Sequence, residues 1–163
     1  METLIDKDMS EIRNKYKFDY TIDTPYENDK ANNINEQFFL NLYSIFGNFN
    51  FEEKKKKLID KIHKKKTFLK HDELQFYENK INVIEEMYIK LRHQISISYK
   101  DYFLLINKFD GSYEENEKKP GVLFTYNKII IDILGEISDK CINFENQLIT
   151  INNLINEINI CLI

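Results

Sequence analysis

Three histidines, two cysteines and a few paired carboxylates are the side chains of this sequence best suited to hold a metal or to act as nucleophile, acid or base. A zinc or catalytic metal site needs such groups to converge, typically from positions three or four residues apart on one helix face. His63, His71 and His93 have no second His or Cys at those distances. His71, Asp72 and Glu73 are consecutive, and a helix would fan them around its circumference. Cys141 falls on an apolar stripe and reads as core, while Cys161 has no base or cation beside it in sequence to activate its thiol. Glu85-Glu86 and Glu114-Glu115 read as solvated surface.

The phosphate cradles GxGxxG and GxxxxGK[ST] and the nucleophile elbow GxSxG are absent. Arg92 has no His four to six residues downstream, so the pairing used by helical HEPN-type ribonucleases is missing too. These features predict a protein that is not an enzyme, with no cofactor, no metal and no small-molecule substrate.

Charge is the remaining source of chemistry. Residues 54–70 hold nine Lys and one Asp, or +8, against −12 for the rest of the chain. Lys54, Lys55, Lys56, Lys57, Lys61, Lys64, Lys65 and Lys66 are therefore candidate ligands for an anion or an acidic partner. Flexible ammonium groups of this kind can neutralise several phosphates of nucleic acid or of an anionic membrane. The cluster contains no Arg, which specific readers usually add along with stacking aromatics. A solvated face, or pairing with the chain's own acidic remainder, is the reading set against binding.

The elements that must carry these residues are helical. Four Gly and two Pro in 163 residues cannot supply the turns an all-β fold requires. A single Ala beside abundant Asn, Lys, Ile and Phe fits AT-rich coding, which also inflates Lys and Asn runs. Residues 2–17 predict a short amphipathic helix, Phe18 to Pro25 an extended arm, and residues 27–33 a loop. A helix is expected from Asn33, with Asn33 and Glu36 as a capping pair, and Gly47 is expected to end it. Asn48 or Asn50 caps the Lys-rich helix, whose first turn holds Glu52 and Glu53.

The strongest pattern follows. From Leu74 to Phe109, positions spaced alternately by three and four are apolar or aromatic except Ser98. From Leu123 to Leu162 a second such series is broken only by Asn127. Two sustained heptad seams predict two helices, each about 55 Å long. The segment DGSYEENEKKPG lies between them, with Gly111 expected to end the first helix. The predicted fold class is all-α: a long antiparallel, coiled-coil-like helical hairpin with shorter N-terminal helices packed near its turn end. In outline, residues 1–70 form the N-terminal helices, arm and Lys-rich helix, and residues 71–163 the hairpin, within one structural unit.

Cys141 and Cys161, twenty residues apart in one helix, would lie about 30 Å apart and cannot bridge, which suits a reducing interior. No apolar signal core opens the sequence and no run approaches 18 apolar residues, so a cytoplasmic protein is expected. From Asn146 to Ile163 only Glu157 is charged. Such an apolar, Asn-studded arm should seek a partner, which makes Leu148, Ile151, Ile155, Ile158 and Leu162 the candidate interface. The first functional expectation is thus a helical adaptor or assembly protein that engages a protein partner or itself through coiled-coil surfaces. The second is an anion-binding module that contacts nucleic acid or an anionic membrane through the Lys54–Lys70 helix. The third is a small inhibitor or immunity-type protein that binds one target.

Overall fold

The computed structural model describes residues 28–116, 119 and 121–163, and among them the fold is all-α with no strand. Four helices follow one another: α1 (Asn28–Phe49), α2 (Phe51–Lys65), α3 (His71–Asn116) and α4 (Val122–Cys161). The predicted helix over residues 2–17 and the extended arm lie outside the described residues.

α1 and α2 are nearly one helix with a bend. Asn50 alone separates them, in the left-handed region at φ 49°, ψ 66°. Its backbone N–H still bonds Phe46 O at 3.3 Å, and its carbonyl accepts from Lys54 N at 3.3 Å. Its side chain caps α2 by accepting from Glu53 N at 3.4 Å, while its amide donates to Glu53 Oε2 at 2.9 Å. Glu52 and Glu53 at the start of α2, and His63, Lys64 and Lys65 at its end, complement the helix dipole. Phe68 N and Leu69 N then bond Lys65 O at 2.9 and 3.1 Å and close the turn into α3.

Three predicted boundaries are corrected. α1 begins at Asn28, so Asn33 lies inside a helix instead of capping one. Gly47 does not end it; α1 continues to Phe49, whose ring is 6.5 Å from Phe51 and 6.3 Å from Tyr88. Gly111 likewise lies within α3, which runs on to Asn116. A glycine costs only about 1 kcal/mol inside a helix, too little to stop one by itself.

The described chain divides into two compact units, and neither is continuous in sequence. The first gathers α1 up to Leu42 with Ile95–Glu145. Phe38, Phe39, Leu42, Ile95, Tyr102, Ile106, Ile130, Leu134 and Ile137 are buried in it. Phe39 meets Tyr99 edge-on at 5.4 Å, and Asn32 Nδ2 donates to Asn107 Oδ1 at 2.9 Å. Ser98 and Asn127, the two polar interruptions of the seams, are both buried here.

The second unit gathers Tyr43–Gln94 with Asn146–Ile163. Tyr88 is its aromatic hub, stacked on Phe51 at 4.3 Å and on Phe46 at 5.7 Å, with the Arg92 guanidinium 5.9 Å from its ring. Burial pushes its hydroxyl pKa up, against the pull of Arg92. Phe51, Leu58 and Ile62 of α2, with Ile81, Ile84 and Leu91 of α3, complete the apolar interior.

This placement corrects two expectations. The first is that both shorter helices lie near the turn end. α2 belongs with the opposite ends of α3 and α4, because its narrow apolar stripe is what those ends need as a further wall. The second is that the C-terminal arm is left uncovered. Leu148, Ile151, Ile155, Ile158 and Leu162 are each 5% exposed or less within the single chain.

A candidate anion-binding groove on the Lys-rich helix

The Lys-rich helix turns its apolar stripe inward at Phe51, Leu58 and Ile62. Helical periodicity then separates its lysines onto different flanks. Lys54, Lys57, Lys61 and Lys64 fall on the flank beside α4. With Asp60, Ile155, Asn156 and Asn159 they line a groove of about 340 Å³.

Two of these ammonium groups are held in place by carboxamides of α4. Lys54 Nζ donates to Asn152 Oδ1 at 3.1 Å, and Lys61 Nζ donates to Asn159 Oδ1 at 2.8 Å. Both partners advance by seven residues from one contact to the next, so α2 and α4 run in the same direction here. Lys54 also lies 4.0 Å from the centre of the Phe49 ring, a cation–π contact. Partial burial, and then repulsion from Lys57, hold its pKa below the ordinary lysine value.

The remaining predicted lysines do not join the groove. Lys55 faces α3 and forms an ion pair with Glu85, which raises its pKa, the hydrogen bond to that carboxylate being the largest cause. It lines a second crevice, with Ile59, His63, Glu78 and Asn82. Lys56 and Lys66 are exposed, and Lys65 is half-buried. Among the described residues, the cluster's carboxylate contacts are Lys55–Glu85 and Lys57–Glu53, the latter at 3.3 Å.

Sequence reasoning missed two components. One is the set of Asn residues on α4: 152, 156 and 159 recur at helical spacing just as 54, 57, 61 and 64 do. Phe68 was not singled out. It lies between Lys66 and Lys70, 86% exposed, on a turn fixed by backbone hydrogen bonds.

The groups weighed for catalysis stay apart. No three His, Cys, Asp or Glu come together as metal ligands among the described residues. Cys141 is buried, and burial, with Glu145 nearby, pushes its thiol up to about 12. Cys161 is exposed. Among the described residues no helix is long and apolar enough to cross a membrane. Apolar side chains are exposed on α3, notably Phe76 and Val83 in the second unit and Ile97 and Leu104 in the first. No protein-family model matches this sequence, and no curated protein or solved structure matches it either.

Proposed function

We propose that this protein is a non-enzymatic helical binding module that engages an acidic macromolecular partner through the basic face of α2. One observation carries the reading: Lys54 and Lys61 are fixed by neutral carboxamides instead of carboxylates. An Asn oxygen positions an ammonium group and leaves its charge intact for a ligand. Asp or Glu at the same places would position the group and cancel it.

The test uses the chain's own net charge. A protein of net charge −4 should be repelled by an immobilised polyanion unless a concentrated basic face engages it. The intact chain is expected to be retained on heparin resin at low salt and released as salt rises, and Lys57→Gln with Lys61→Gln should abolish retention. Passage of the parent chain through the column unretained would overturn the proposal.

A second reading, assembly with a protein partner or with a second copy, moves from the α4 seam to the outside of α3. Phe76 and Val83 lie one heptad apart and are 55% and 54% exposed; Ile97 and Leu104 are 46% and 54% exposed at the same spacing. Light scattering after size exclusion, at low and high salt, tests self-association, which Val83→Glu should weaken. A monomer of 19.7 kDa under both conditions would exclude it. Both readings fit an antiparallel pairing of α3 with α4. In support, contacts run in opposite order along the two helices: Tyr77 with Cys161 in the second unit, and Tyr102 with Glu136 and Phe109 with Tyr126 in the first.

A further inference from the structure

The groove on α2 has features that discriminate among acidic partners, and this inference rests on the reading just given. Its cations form a row. Lys54 to Lys64 spans about 15 Å along the helix axis at 1.5 Å per residue, with ammonium groups on successive turns. The row lies in a recess between α2 and α4, with Asp60 in its lining and Glu53 paired to Lys57 at 3.3 Å. A recess of about 340 Å³ is too small to take in a duplex. Four residues past Lys64 in the sequence comes Phe68, 86% exposed, on the turn that follows the helix and flanked in sequence by Lys66 and Lys70. Burying so large an apolar side chain is favourable, yet none of the described residues covers this one. An aromatic face beside a row of cations is the arrangement by which proteins hold unpaired bases, with the backbone on the cations and a base on the ring.

We infer that the groove binds single-stranded nucleic acid without base-specific readout, with successive phosphates along Lys54, Lys57, Lys61 and Lys64 and a base stacked on Phe68. Sequence tolerance follows from the absence of Arg in the cluster and from stacking as the contact to the base, because every base has a π-face. Lys54 and Lys61, already positioned by Asn152 and Asn159, lose little side-chain freedom when a phosphate arrives.

The test is fluorescence anisotropy of a labelled oligothymidylate titrated with the full chain over a series of salt concentrations. Three to four lysines on a single strand predict a slope of log K against log salt of about −2 to −3. The triple variant Lys57→Gln, Lys61→Gln, Lys64→Gln should bring the slope to about −0.7, the contribution of Lys54 alone. Phe68→Ala should weaken binding on the order of tenfold and leave the slope unchanged, a separation a merely structural role would not produce. All four positions are exposed, and circular dichroism of each variant checks that the fold is retained. If polyglutamate competes as well as the oligonucleotide and Phe68→Ala changes nothing, the inference is overturned while binding of an acidic partner stands. The same holds if vesicles of anionic lipid bind and the oligonucleotide does not. If no polyanion binds at low salt, both fall.

Discussion

Lys61 Nζ donates to Asn159 Oδ1 across 98 residues of sequence, and one heptad earlier Lys54 Nζ makes the same bond to Asn152 across the same 98. The two contacts are rungs of one ladder, about 10.5 Å apart along helices that run the same way. They account for a C-terminal arm rich in Asn and almost free of charge. Its carboxamides hold the lysines of α2 without neutralising them.

Asn152→Asp together with Asn159→Asp therefore separates stability from binding. New ion pairs, one part-buried and one exposed, should change stability by about 1 kcal/mol or less. Oligothymidylate affinity should fall by at least tenfold, since two of the row's charges are cancelled. Thermal melts and anisotropy on the same samples read both effects, and unchanged affinity would remove the ladder from the site.

Asn50 tests the bend. Ala there loses a cap worth about 1 kcal/mol, and keeps a Cβ in the left-handed region without the local side-chain hydrogen bonding that lets Asn tolerate it, at a further cost of about 1 kcal/mol. Asn50→Gly relieves the second cost and should destabilise by only a few tenths. Gly47, in contrast, has nothing within 4 Å of the position a Cβ would take, so Gly47→Ala should stabilise by about 0.5–1 kcal/mol. Urea denaturation of the three variants gives the ranking.

Ile155 tests whether the C-terminal seam is interior. Its side chain is 2% exposed, and Ile155→Ala should cost about 2–5 kcal/mol with no change in oligomeric state. A stable variant with altered mass in light scattering would instead make the seam an interface.

The thiols provide a chemical test. Cys161 should react promptly with a disulfide reagent at mildly alkaline pH, and Cys141 only after denaturation. The folded state holds the Cys141 thiol at about 12, above its ordinary 9.0. A pKa raised by folding stabilises the protein fully below the unfolded value and ceases to do so as pH rises through the folded one. Tyr88 and Tyr102, raised chiefly by burial, act in the same direction. The contribution of these three groups should be constant below pH 9 and fall between about pH 9 and 12; Cys141→Ala should reduce that slope even though it lowers stability at neutral pH.

The heptad seams were legible because burial on a helix repeats at a period the sequence displays. Every position of the second series from Asn127 to Leu162 is buried, and the first series is buried from Ile81 to Tyr102. Beyond Tyr102 the stripe shifts by one, with Ile106 buried and Leu105 half-buried. The partner of α2 was not legible. An apolar stripe as narrow as Phe51, Leu58 and Ile62 fixes which face turns inward, but says nothing about which of several apolar surfaces receives it. For the same reason the Lys positions could be read from the sequence, whereas the ladder to α4 required two segments 98 residues apart to be brought side by side. Helix ends failed where Gly was taken as a stop, because packing of Phe46 and Phe49 around Tyr88 carries α1 past Gly47.

A basic groove on a chain of opposite net charge is an electric dipole. If the groove binds acidic partners, then in dilute salt it should also attract the acidic remainder of a second copy, which would compete for the site. Apparent affinity for a polyanion should then weaken as protein concentration rises, until enough salt is present to screen neighbouring molecules from each other. On that reading the protein would inhibit itself at low ionic strength, and its tightest binding would be measured in dilute solution.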